Sequence, residues 1–193
     1  MKPPQSPAIL AFHDERANQA EARFEEGLWE AIAANHRYNR LLWDEEDLAR
    51  RRNVPDAEIA GNKRAIDGYN QKRNDATERI DEHLLNFFSG SKAKAHARLS
   101  SETAGAMIDR LSILSLKIHH MRLQTQRGDV GRAHIEACAA KLARLDEQRG
   151  DLGACLDRLL AEVARGESCF KVYRQFKMYN DPALNPALYG KKS

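Results

Sequence analysis

The chain has 193 residues, of which 42% are hydrophobic, 31% charged and 7% aromatic, a length and balance that suit one domain whose core needs neither disulfides nor a structural metal. Abundant Ala, Leu, Glu, Arg and Lys, with a mean hydropathy of -0.67, favour helices with polar outer faces. Lys and Arg total 31 against 28 for Asp and Glu, so the net charge of +3 is spread through mixed-sign sequence and nucleic acid is not an expected partner.

The first long helical segment is expected from about His13 to Arg52, where Phe24, Leu28, Ala31, Tyr38 and Leu42 recur at spacings of three, four and seven. Asn53-Val54-Pro55-Asp56 breaks it, and Pro55 suits the first turn of a second helix whose apolar face runs through Ile59, Ile66, Ile80 and Leu84 to Phe88. Ser89-Gly90-Ser91 and the basic stretch to Arg98 read as a loop, after which Ser100, Ser101 and Thr103 are N-cap candidates for a third helix ending near Gly128. In that helix Met107, Leu111, Leu114 and Ile118 form one stripe while Ile108, Ile113 and Leu116 take other sides, which makes it central. The fourth, from about Val130 to Arg165, carries a coiled-coil-like seam through Cys138, Leu142, Leu145, Leu152, Leu156, Leu159 and Val163, and Gly166 ends it. Arg149-Gly150 with Gly153 interrupts the seam and marks either a local irregularity or a contact with another chain.

The expected architecture is therefore all-α: one domain over 1–193, a bundle of four long helices spanning about 13–165, with an aromatic-rich C-terminal arm over 169–193 packed on it. Cys138, Cys155 and Cys169 lack the paired spacing of a zinc site, no apolar run reaches a membrane span, and no signal-peptide core follows Met1. Free thiols in the cytoplasm are the expectation.

The strongest chemical pattern lies on the second helix. Lys63, Asp67, Asn70, Asn74, Glu78 and Asp81 recur at steps of four, three, four, four and three and so share one stripe bordering the apolar seam. A solvated flank laced with salt bridges is one reading. Asn70 and Asn74 point to another, because asparagine is a mediocre helix former and two on consecutive turns imply specific hydrogen bonding. On the first helix His36, Asn39, Trp43 and Glu46 share a face that fits either a pocket wall or the polar rim of a core tryptophan. The third helix adds Glu102, Asp109, Arg110 and Lys117, and because charges in a central helix need partners, Asp109 and Arg110 are expected to find them on the second-helix stripe.

The runs Asn39-Arg40-Leu41-Leu42-Trp43-Asp44-Glu45-Glu46-Asp47, Lys63-Arg64-Ala65-Ile66-Asp67, Asn70-Gln71-Lys72-Arg73-Asn74-Asp75, Asp109-Arg110-Leu111-Ser112-Ile113-Leu114 and Lys177-Met178-Tyr179-Asn180-Asp181-Pro182 resemble a bacterial domain-of-unknown-function family, number 4254. One departure is Ala104, where the family has Pro after Thr103. The resemblance implies a setting beside glycosyltransferases of lipopolysaccharide or other surface-glycan assembly and brings no catalytic residues with it.

Two functions from different classes follow. In the first, His36, Asn39, Trp43, Glu46, Lys63, Asp67, Asn70, Asn74, Glu102, Asp109, Arg110 and Lys117 line an inter-helix pocket for a phosphorylated or nucleotide-linked sugar, serving surface-glycan synthesis directly or through a glycosyltransferase-pathway protein. In the second, Glu78 and Asp81, with Glu46 or Asp47 from the preceding helix, hold Mg2+ for phosphohydrolysis; this is similar to all-helical nucleotide pyrophosphohydrolases, although Ala49 stands where those carry a further carboxylate. A third possibility needs no ligand, the fourth-helix heptads building a homo-oligomer.

Overall fold

A computed structural model describes residues 3–17, 27–174, 181–186 and 190. The chain is all-α, and among the described residues five helices, where four were expected, carry nearly all the regular structure.

The additional helix is α1 (Ser6–Arg16). A proline in the first turn leaves no hydrogen bond unmade, so Pro7 suits the start of this helix, and Ile9, Phe12 and His13 of α1 are buried. The single helix expected over 13–52 is corrected here, for α1 ends at Arg16 and α2 (Leu28–Ala49) begins only after Gly27. Gly27 has φ +144, backbone that residues with a Cβ rarely adopt, so the apolar period seen in sequence does not run on as one helix. Phe24 lies outside the described residues.

A short connection leads from α2 to α3 (Asp56–Phe87), and the two pack as an antiparallel pair. Asn62 donates to Glu45 at one end (2.7 Å) and Arg79 to Glu30 at the other (2.7 Å), which fixes the register. The segment after α3 is more than the expected loop. Arg98–Leu99 forms a strand, β1, that pairs in parallel with β2 (Ser168–Cys169), flanked by Lys94 N–H to Gly166 O (2.9 Å) and Ser100 N–H to Cys169 O (2.8 Å). Gly166 ends its helix at φ +68, and a Cβ there would stand 2.4 Å from Lys92 O.

Thr103 caps α4 (Ala104–Thr125) by accepting from Ala106 N–H at 3.1 Å. As its apolar distribution predicts, α4 is central and touches α1, α2, α3 and α5. Gly105 permits a close approach to α3, since a Cβ would come within 2.6 Å of Thr77 O. The last helix, α5 (Arg132–Ala164), is continuous through Gly150 and Gly153. Gly153 and Arg149 mark no irregularity in the helix, and they are where α1 docks. Ser6 packs over Gly153 and bonds Asp157 through its N–H and hydroxyl (2.7 Å each), while Arg149 reaches Asp14 at 2.6 Å.

Ile9, Ile32, Ile80, Leu84, Ile108, Leu111 and Leu156 are fully buried at the centre of this assembly. Of the expected aromatic arm, Phe170 is buried and Tyr173 exposed, whereas Phe176, Tyr179 and Tyr189 fall outside the described residues. The three cysteines are free thiols. No described helix is long and apolar enough to cross a membrane.

Candidate functional site

Where α2, α3 and α4 meet, core positions are occupied by amides, hydroxyls and a carboxylate. On α2, Asn35, His36 and Asn39 are all buried. The Nδ2 groups of Asn35 and Asn39 both donate to Oδ1 of Asp109 on α4, each at 2.8 Å. Asn35 donates also to Thr77 Oγ1 (3.1 Å), and Asn39 to Ser112 Oγ (3.0 Å) and to Asn35 Oδ1 (3.3 Å). Ser112 Oγ, which accepts from Asn39, also hydrogen-bonds His36 Nδ1 at 2.8 Å, with the ring tautomer setting which of the two donates. Burial, reinforced by the nearby Arg40 and Arg16 cations, pushes the His36 imidazole down to about 4. His13 of α1 stacks on it with centroids 4.7 Å apart; its ring is wholly buried, its pKa is also lowered by burial, and neither nitrogen has a hydrogen-bond partner among the described residues.

Through Asn39 the cluster borders a cleft of about 310 Å³ lined also by Trp43 and Glu46 from α2, Asn70 and Arg73 from α3, and Ile113 from α4. Arg73 sits half-buried at the edge. Its guanidinium bonds the Asn74 amide oxygen (3.0 and 3.3 Å) and stands 4.0 Å from Asp109, whose near oxygen already accepts two amides.

Of the residues singled out in sequence, the structure thus brings together Asn39, Trp43, Glu46, Asn70 and Asp109, with His36 behind them and Asn74 holding Arg73. The others separate. Lys63 and Asp67 pair with each other on the exposed part of α3. Glu102 and Arg110 form a two-pronged pair (2.6 and 2.9 Å) at the start of α4 and, with Lys117, line a different groove of about 700 Å³ between α4 and α5. The expectation that Arg110 draws its partner from α3 is corrected: its side chain points to the α5 side, where Glu102 is within reach. Asp109 does meet α3, through Arg73, which stands outside the predicted stripe.

Glu78 and Asp81 stay near each other on α3 but take different partners. Glu78 is engaged by Arg174 at 3.0 Å, and Asp81 accepts from Gly105 N–H at 2.6 Å, satisfying a donor at the start of α4. Burial pushes the Asp81 carboxyl up to about 6 against the opposing bonds from Thr103 and Gly105. The antiparallel register puts Glu46 and Asp47 near Asn62 and Asp81 near Arg79, so at 1.5 Å per residue the two acidic groups lie roughly 25 Å apart along α3. They do not face one another as the magnesium reading requires, and no group of three or more His, Cys, Asp or Glu converges among the described residues.

Sequence reasoning missed Asn35, Arg73, Thr77, Ser112 and His13. A signal existed for two of them: Asn35 and Asn39 stand one helical turn apart, as Asp109 and Ser112 nearly do.

A family model described as protein of unknown function, DUF4254, matches residues 29–172. The chain belongs to this family. The DUF4254 match includes α2 to α5 and every residue of the amide–carboxylate cluster except His13, since α1 lies before it. No curated protein and no solved structure matches the chain.

Proposed function

We propose that this DUF4254 chain is a binding or accessory factor in bacterial surface-glycan synthesis, and that its α2–α3–α4 cleft holds a phosphorylated or nucleotide-linked sugar. The glycan pathway comes from the family resemblance, and the ligand class comes from the cleft. One observation carries the latter: a half-buried guanidinium at the edge of an amide-lined cavity, held by the Asn74 amide oxygen and standing 4.0 Å from Asp109. Such a group is a fitting phosphate ligand, because a planar guanidinium bonds phosphate through two donors at once and gains strength away from bulk water. Asn39 and Asn70 supply amides for sugar hydroxyls, and Trp43 offers an apolar ring face, the usual division of labour in a ligand cleft. At about 310 Å³ the space is that of a small ligand and not of a protein segment.

Thermal unfolding of the protein against a panel of sugar phosphates and nucleotide sugars is the test. A ligand present at about a hundred times its Kd stabilises by about 2.7 kcal/mol, enough to raise Tm by several degrees. A panel without any shift overturns the reading.

A further inference from the structure

The cleft of the proposed site shares Trp43 and Asp47 with an adjoining one of about 580 Å³ bordered by α2, α4 and α5. Trp43 stacks face to face on His120 of α4, with centroids 4.3 Å apart and planes 6° from parallel. Burial, then the neighbouring His119, lowers the His120 pKa, so this ring is neutral near pH 7, and the stacked pair covers its inner faces and leaves one outer ring face on each side. Met121 and Leu145 continue the apolar lining. Two cations border it, Lys117 from α4 and Lys141 from α5, both exposed and neither in an ion pair among the described residues. Most other cations near these clefts are already matched: Arg50 with Glu46, Arg110 with Glu102 and Arg149 with Asp14.

We propose that this second cleft takes the nucleoside diphosphate part of a nucleotide-linked sugar, the base lying along the Trp43–His120 surface and the phosphates meeting Lys117 and Lys141, while the sugar passes Trp43 into the Asn39–Arg73 cleft. The inference rests on the function proposed above and narrows its ligand to the nucleotide-linked class. A flat aromatic surface suits a base because stacking needs only a π-face and contributes regardless of base identity. Lysines from two helices bordering one apolar cleft suit a diphosphate because each acts as a mobile point charge, needing no fixed geometry. The clefts share Trp43 and Asp47, so one extended ligand can span both.

The full chain is titrated calorimetrically with uridine diphosphate, adenosine diphosphate, UDP-glucose, glucose 1-phosphate and farnesyl diphosphate. Both nucleoside diphosphates bind and quench tryptophan emission, a signal assigned to Trp43 by its loss in Trp43→Phe, which keeps only Trp29. Lys117→Ala combined with Lys141→Ala weakens the nucleotides about tenfold or more and leaves glucose 1-phosphate unchanged; both positions are exposed, so the fold is retained. Should UDP-glucose and glucose 1-phosphate bind equally, with the lysine changes without effect, the nucleotide cleft is refuted while the sugar-phosphate reading survives. Farnesyl diphosphate binding more tightly than either nucleotide, with the same dependence on the lysines, would assign the cleft to a lipid phosphate and overturn the proposal. If none of the five binds, both readings fall together.

Discussion

Replacing His36 by Gln should change the response of stability to acid, and the size of the change follows from the buried ring. In the folded chain His36 titrates at about 4, against 6.5 for a free imidazole. Between those values the unfolded chain holds the extra proton, so the stability from keeping the ring neutral is complete above 6.5 and is lost as pH falls toward 4. At about pH 5 the loss from this one group is about 2 kcal/mol. Asp81 works the other way: its folded pKa of about 6 exceeds the ordinary 3.8, so the folded chain gains relative stability as pH falls between them. The wild-type profile therefore mixes opposing slopes, and the informative quantity is the difference between wild type and His36→Gln, in which Asp81 is common to both. Gln retains an amide that can hydrogen-bond Ser112 but loses the stack on His13 and should cost about 1 kcal/mol at about pH 7. Urea unfolding at about pH 7 and about pH 5 should then show the order inverted, the variant becoming the more stable by about 1 kcal/mol in acid. An unchanged difference between the two conditions would refute the claim that His36 is held neutral by burial.

Substitutions at two further positions test the packing. Asp109→Leu strips the shared acceptor from Asn35 and Asn39 and should lower unfolding stability by about 2–3 kcal/mol, whereas Asp109→Asn, which keeps one carbonyl oxygen, should cost clearly less; equal losses would mean that the two amides do not depend on that oxygen. Gly166→Ala places a Cβ 2.4 Å from Lys92 O on backbone at φ +68 and should cost roughly 2–3 kcal/mol, with faster amide exchange at Arg98 and Ser100 of the β1–β2 contact; a neutral result would show that the connection after α3 is not held there.

The parts of the fold legible in sequence were those where local chemistry and tertiary packing agree. Pro55, Thr103 and Gly166 mark helix ends because each solves a backbone problem at a fixed position, and all three do so in the structure. The helix α1 was hidden because Pro7 suits a helix only where the first turn is known to start there, and Gly27 was hidden because its backbone angle carries no periodicity. The site was half legible for a related reason. Spacing along one helix identifies residues that share a face but cannot say how two faces are set against each other, and the antiparallel register of α2 and α3 is what carries Asp81 away from Glu46. Asn35 and Ser112 sit at core positions that periodicity assigns to apolar residues, so only their mutual contacts reveal them. Arg73 lay off the stripe because it approaches Asp109 by side-chain length, through a long flexible stem.

The most direct check is the dissociation constant of a bound sugar phosphate or nucleotide sugar for wild type and for Arg73→Gln, measured by titration calorimetry. A guanidinium that bonds the phosphate predicts affinity weaker by about tenfold or more in the variant, with partial recovery in Arg73→Lys. Equal affinity in all three proteins would contradict the assignment of the α2–α3–α4 cleft as the binding site.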